Sequence, residues 1–133
     1  MTVFFDTSVH VDLMRARRTV EDLEQYISGA ARLSPIVASE LLRGARGSVR
    51  HDVEALIVRF QPIEPPSWRN AFLEAGRLLP AVFADHDEVG LANLQNDVLL
   101  ALTARQTGSR LVTRDKHFTT LCERLMFDCV VLP

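Results

Sequence analysis

Val3-Phe4-Phe5 is an apolar run, β-branched and aromatic, that ends abruptly in Asp6-Thr7-Ser8. It is too short for a helix. Its lack of polar alternation is the pattern of a strand covered on both faces, as parallel strands are inside α/β proteins. Asp6 then lies at the carboxyl end of a central strand. In open parallel sheets that edge is where ligands bind, in the crevice between the departing loops. Asp6, Thr7 or Ser8 equally suits the cap of a following helix. The choice turns on whether other carboxylates reach the same edge.

The rest of the chain alternates helical and strand signals. Val9 to Arg15 has helical character and runs into the basic Arg15-Ala16-Arg17-Arg18. Thr19, with Asp22 three residues on, caps a second helix reaching Gly29. Arg32-Leu33-Ser34 predicts a short strand, and Pro35 suits the first turn of a helix over Ile36 to Arg46. Ser48 to Arg59 is the next helix. Phe60-Gln61-Pro62-Ile63 reads as an edge strand, because Pro62 cannot donate to a central ladder. Ser67 to Phe83 carries apolar residues at helical spacing, with a kink or early stop expected at Pro80. Asp85-His86-Asp87-Glu88 is an acidic connector, and Leu91 to Gln106 a helix stopped by Gly108. Arg110 to Thr113 is a strand, Lys116 to Leu125 a helix and Cys129 to Leu132 a closing strand. Such alternation predicts parallel strands joined by right-handed crossovers.

One domain over residues 1–133 is expected, since 133 residues with 47% hydrophobic content supply a substantial core. Lys+Arg 15 against Asp+Glu 17 gives a net charge of -2, so a polyanion must be held locally and not by the mean field. Lys116 is the only lysine; the other basic residues are arginines, which offer bidentate donors to phosphate or carboxylate. Cys122 and Cys129 form no CxxC pair and no disulfide framework, which makes a reducing cytoplasm the default. No apolar run reaches the roughly 18 residues of a membrane span, and no signal-peptide pattern opens the chain, so a protein that stays inside the cell is expected.

Two carboxylates sit where helical geometry expects apolar side chains. Glu40 has Ile36 and Val37 one turn back and Gly44 one turn on; Asp97 has Asn93, Leu94, Leu100 and Ala101 as its one-turn neighbours. A carboxylate in such a face costs several kcal/mol unless it is paired, hydrogen-bonded or metal-bound. Arg110-Leu111-Val112-Thr113-Arg114-Asp115 repeats the opening pattern of an apolar strand running into a hydroxyl and a carboxylate. Were that strand parallel to the first, Asp6 and Asp115 would emerge together, with Glu40 and Asp97 closing a ring from two helices. Clustered carboxylates repel one another unless a divalent cation holds them ionised, and all-oxygen donors suit Mg²⁺ or Mn²⁺. The ordinary alternatives are a buried ion pair to arginine for Glu40 or Asp97, and a helix cap for Asp115.

These segments resemble the PIN-domain ribonucleases, and among them the VapC toxins of toxin-antitoxin pairs. The resemblance runs almost end to end through Phe5-Asp6-Thr7-Ser8, Ser39-Glu40-Leu41-Leu42-Arg43-Gly44, Asn96-Asp97 with Val98 to Ala104, and Leu111 to Phe118. It implies a PIN-like three-layer α/β/α fold with a central parallel sheet of about four to five strands. It also implies Mg²⁺-dependent endoribonuclease activity, with Mn²⁺ able to substitute, a homodimer, and a cognate VapB-type antitoxin whose C-terminal segment covers the acidic cleft.

By motif position Asp6, Glu40, Asp97 and Asp115 take the acidic roles, with Asp6 and Asp97 as direct metal ligands and Glu40 and Asp115 acting through water. Thr113, Asn96 and Thr7 are the supporting polar residues. His10 departs from the family pattern, where an aliphatic residue is expected, and the acidic loop before Leu91 is also less typical. Arg43, Arg46 and Arg50, about one helical turn apart, form a basic stripe for the RNA backbone or a solvated face paired to Asp52 or Glu54; Arg15, Arg17 and Arg18 offer the same choice. His51, His86 and His117 show no metal-ligand spacing and are read as structural, and Trp68 and Tyr26 are too isolated for a base-stacking platform. The apolar helices between Val53 and Phe83 are the expected dimer surface. The competing reading is a catalytically silent PIN-like module that binds RNA or protein. A phosphoacceptor receiver domain fits less well, because no mid-chain strand ends in Asp.

Overall fold

A computed structural model describes residues 1–133, apart from the side chain of Glu88. Strands β1 (Val3–Phe5), β2 (Ala31–Arg32), β3 (Arg110–Thr113) and β4 (Cys129–Val131) form one parallel sheet in the order β2-β1-β3-β4. The helices are α1 (Thr7–Met14), α2 (Val20–Leu23), α3 (Pro35–Gly44), α4 (Ser48–Arg59), α5 (Trp68–Val82), α6 (Glu88–Thr107) and α7 (His117–Leu125).

The opening strand is buried on both faces, as its composition requires. Phe4 and Leu111 point into the larger core with Val37, Val53, Ala75, Leu99 and Phe118, contributed by α3 to α7. Val3, Phe5 and Val112 point the other way, into a smaller core closed by Val9 of α1, Leu23 of α2 and Leu132. The result is a three-layer α/β/α sandwich. No helix among the described residues is long and apolar enough to cross a membrane.

β1 and β3 are neighbours in register, Phe5 opposite Val112, and the Asp6 N–H donates to the Val112 carbonyl at 3.1 Å. The chain leaves β1 through α1 and α2 on one face and leaves β3 through α7 on the other. Loops diverging from adjacent parallel strands open a crevice at their carboxyl ends. Asp6 and Asp115 lie at that crevice.

Several elements differ from the sequence reading. The second helix stops at Leu23 and continues only as a short 3₁₀ turn, Glu24–Tyr26. The capping box at Thr19 and Asp22 is present, but a single helical turn exhausts the apolar stripe at buried Leu23. β2 covers Ala31–Arg32 instead of Arg32 to Ser34, because the Ser34 hydroxyl is used to cap α3 through the Ile36 N–H at 3.2 Å. Residues 60–63 form only a bridge: Leu33 donates to the Gln61 carbonyl and Ile63 to the Leu33 carbonyl, with the N-substituted Pro62 between them. Pro80 neither stops nor shortens α5, which runs to Val82 and is closed by the Phe83 N–H on the Leu79 carbonyl. The acidic connector is partly a cap: Asp87 accepts from the Gly90 N–H at 2.7 Å, so α6 begins at Glu88 and not at Leu91.

The expected arginine stripe is broken. α3 ends at Gly44, and Gly47 takes φ 59°, a left-handed conformation that favours glycine, before α4 begins. Arg43, Arg46 and Arg50 therefore sit on a helix, a connection and a second helix.

Candidate functional site

Asp6, only 5% exposed, is held by its own helix and by the neighbouring strand. Its Oδ1 accepts from the Val9 N–H at 3.2 Å and from the Ser8 hydroxyl at 2.5 Å. Its Oδ2 accepts from the Thr113 hydroxyl. The cap reading and the sheet-edge reading of Asp6 are thus both realised in one side chain. Burial raises its ionisation above the ordinary 3.8, the hydroxyl and amide donors oppose that, and Asp115 adds repulsion.

Asp115 is tied in by the same hydroxyl. Its N–H donates to Thr113 Oγ1 at 2.9 Å, so Thr113 bridges the two carboxylate residues. Its Oδ1 accepts from the His117 N–H at 2.9 Å and caps the start of α7. From the opposite wall, Glu40 of α3 accepts the Thr7 hydroxyl at 3.0 Å; no ion pair to Glu40 is found among the described residues. The same holds for Asp97 of α6. Its ionisation is pushed up to about 7, first by burial and then by the charges of Asp115, Asp6 and Glu40. Four elements thus deliver their carboxylates to one crevice, where Asp97 feels the charges of the other three.

The tightest grouping was not expected. One oxygen each of Asp97 and Asp115 and one ring nitrogen of His117 lie within 4.8 Å of one another. His117, read as structural from the sequence, is the only histidine in that group. The Thr7 hydroxyl donates to Glu40 and the Thr113 hydroxyl to Asp6. Asn96 does not share that placement: it lines a shallow groove with Pro35, Ile36, Ser39, Trp68 and Phe72.

Beside the carboxylates a groove of about 450 Å³ runs between α1 and α3, from Thr7 and Glu40 outward past Val11 and Leu41 to Arg15 and Arg46. Arg43 lines a different groove, with Leu42, Ile57 and Phe60. Arg17 and Arg18 stand 4.0 and 3.9 Å from Asp12, a carboxylate that sequence reasoning missed. Asp12 is buried in α1 and also takes the Arg114 guanidinium at 3.1 Å, which binds the loop carrying Asp115 back to α1. The signal was available: Asp12 follows Val9 by three residues and so shares its buried face, the argument applied to Glu40. His10, one turn from Asp6, is packed edge-on against Phe5.

Carboxylate oxygens with one imidazole are a donor set suited to a hard or borderline divalent cation. The fit is supported by Asp97, whose proton is retained to about pH 7 first by burial and then by the repulsion of Asp115, Asp6 and Glu40, which such a cation would cancel.

The PIN domain family model matches residues 3–123. Among solved structures the chain is similar to VapBC-1 of nontypeable Haemophilus influenzae (18% identity, 98% of each chain, TM-score 0.70). It is also similar to VapBC2 of Rickettsia felis bound to a promoter DNA fragment (17% identity, 100% of each chain, TM-score 0.70). A third is DNA-bound VapBC of Salmonella typhimurium (18% identity, 98% of this chain and 96% of that one, TM-score 0.64). No curated protein matches the chain in sequence.

Proposed function

The chain belongs to the PIN-domain family, and from that membership we propose that it is a divalent-metal-dependent endoribonuclease, the toxin of a VapBC-type pair. One observation carries the reading: Asp6, Glu40, Asp97 and Asp115, distant in sequence, meet at the carboxyl edge of β1 and β3. Hydrolysis of a phosphodiester requires charge neutralisation at the phosphate, an activated water and support for the leaving oxygen. Mg²⁺, or Mn²⁺ in its place, supplies positive charge and acidifies water when bound.

Asp97 and Asp115 offer the closest oxygens for holding the ion, with Asp6 beside them. Thr113 keeps Asp6 and Asp115 in fixed relation, donating to one and accepting from the other. Glu40, oriented by Thr7, is placed to accept a proton from the attacking water. Arg15 and Arg46 flank the adjoining groove and give the RNA phosphates a local partner despite the net charge of -2. With metal chemistry at the phosphate, no ribose hydroxyl is needed as nucleophile, and RNA preference comes from groove contacts.

The partners follow from the same reading: a VapB-type antitoxin that covers this groove, and a second copy of the chain meeting the exposed apolar residues Val58, Phe72 and Leu73. A cytoplasmic setting suits both. The test is cleavage of RNA by the purified chain with Mg²⁺, with and without chelator, beside Asp6→Asn and Asp97→Asn. Loss of cleavage in both variants, with the fold intact by circular dichroism, is expected. Cleavage that survives both substitutions or ignores chelator overturns the proposal, and a chain that shifts RNA in a gel without cutting it points to the silent binding module.

A further inference from the structure

We propose that His117 contributes an imidazole nitrogen to the cation held by Asp97 and Asp115, making this a mixed oxygen–nitrogen site that favours Mn²⁺ over Mg²⁺. The inference rests on the reading above that the crevice holds a divalent ion.

The distances suit a shared ion. In a shell with bonds of about 2.1 Å, neighbouring octahedral donors lie about 3 Å apart and opposite ones about 4.2 Å. His117 Nδ1 is 3.3 Å from Asp115 Oδ1, and the three donors, one per residue, fall within 4.8 Å of one another. The residue is anchored at its backbone and its half-exposed ring rests on one aromatic neighbour. The His117 backbone N–H donates to Asp115 Oδ1 at 2.9 Å, at the first residue of α7, and the ring meets the buried Phe83 edge-on, with centroids 6.3 Å apart at 81°. Phe83 closes the C-terminus of α5, so a third helix sets the direction in which the imidazole faces.

The chemistry gives the contact a consequence. Mg²⁺ takes oxygen donors almost exclusively, whereas imidazole binds later divalent ions progressively better. A nitrogen in the shell therefore adds little for Mg²⁺ and strengthens Mn²⁺. An ion pair between His117 and Asp115, with no contact to metal, predicts no such discrimination.

The experiment needs no RNA. The full chain and its His117→Ala variant are titrated with Mn²⁺ and followed by electron paramagnetic resonance, with pulsed spectra recorded for ¹⁴N coupling; Mg²⁺ is measured by competition. Expected are imidazole nitrogen coupling in the wild type, its loss in His117→Ala, and an Mn²⁺ affinity weakened about tenfold while that for Mg²⁺ changes far less. Asp97→Asn weakens both ions. Bound Mn²⁺ without nitrogen coupling, or equal losses for the two ions in His117→Ala with an unchanged melting curve, overturns the role of His117 and leaves the nuclease reading standing. Failure of the wild type to bind either ion overturns both.

Discussion

Replacing Asp97 by Asn should abolish cleavage and yet stabilise the metal-free protein. Asp97 ionises near pH 7 instead of near 3.8, because burial strips its water and Asp115, Asp6 and Glu40 repel its charge. Below 3.8 the group is neutral in the folded and unfolded chain and has no effect on the balance. Between 3.8 and about 7 the unfolded chain releases the proton and the folded chain keeps it, so stability falls as pH rises; above about 7 the penalty is constant. At about 1.4 kcal/mol per pH unit the interval sets a ceiling of roughly 4 kcal/mol. Asp97 is partly open to water, and screening reduces the figure to about 1–2 kcal/mol. For a chain of this size that raises Tm by about 4–8 °C. Thermal unfolding of wild type and Asp97→Asn in chelator, near pH 8 and near pH 4, measures it: the gap should be present at the higher pH and closed at the lower. Millimolar Mg²⁺ should then raise the wild type by mass action and leave the variant nearly unmoved. A variant less stable than wild type in chelator near pH 8, or a gap indifferent to pH, refutes the account of Asp97 as a strained, metal-awaiting charge.

Three further outcomes follow from the surroundings of the site. His10 is buried, its Nε2 has no partner, and burial lowers its ionisation to about 4, so stability present above 6.5 is lost as pH falls toward 4. His10→Leu should remove that loss and stabilise by about 1–2 kcal/mol near pH 5, with less gain near pH 8; urea midpoints that shift equally at both pH values contradict it. Asp12→Asn leaves Arg18, whose Nε is already buried without a hydrogen bond, and Arg114 without their counter-charge. The expected loss is about 2–3 kcal/mol, discounted from a fully buried pair because Arg114 is half exposed; an unchanged urea midpoint counts against it. Arg46→Glu should weaken RNA binding and lower the salt slope by about one, whereas Arg43→Glu, in the other groove, should leave that slope unchanged; filter binding across a salt series separates the two.

The centre of the sheet was legible because β1 and β3 are buried on both faces, which leaves the uninterrupted apolar runs at Val3 to Phe5 and Leu111-Val112. The weak elements were less legible for the same reason in reverse. Residues 60–63 form two bonds around a proline, too little to mark a strand, and the second helix is a single turn whose length is set by contacts and not by its cap. The break at Gly47 defeated the arginine stripe because helical spacing cannot reveal a left-handed residue between two helices. Among site residues, Asp6, Glu40, Asp97 and Asp115 stood out as charges in apolar settings. His117 did not, because its position depends on Phe83 and on a cap formed by Asp115, contacts that no spacing encodes.

Two of the residues that build the site also start helices. Asp6 opens α1 through Val9, Asp115 opens α7 through His117, and Thr113 joins the two carboxylates across adjacent strands. A capping carboxylate has its backbone fixed by the helix it begins, so its remaining lone pairs are aimed without added cost in side-chain entropy. This arrangement separates two kinds of substitution. Asp6→Asn keeps an oxygen for the Val9 N–H and should preserve the fold while removing charge from the crevice. Asp6→Ala removes the cap as well, and the Thr113 hydroxyl loses its acceptor inside the protein. Any residual difference in stability between Asp6→Asn and Asp6→Ala therefore measures the structural role of Asp6, and their shared loss of metal affinity measures its electrostatic one.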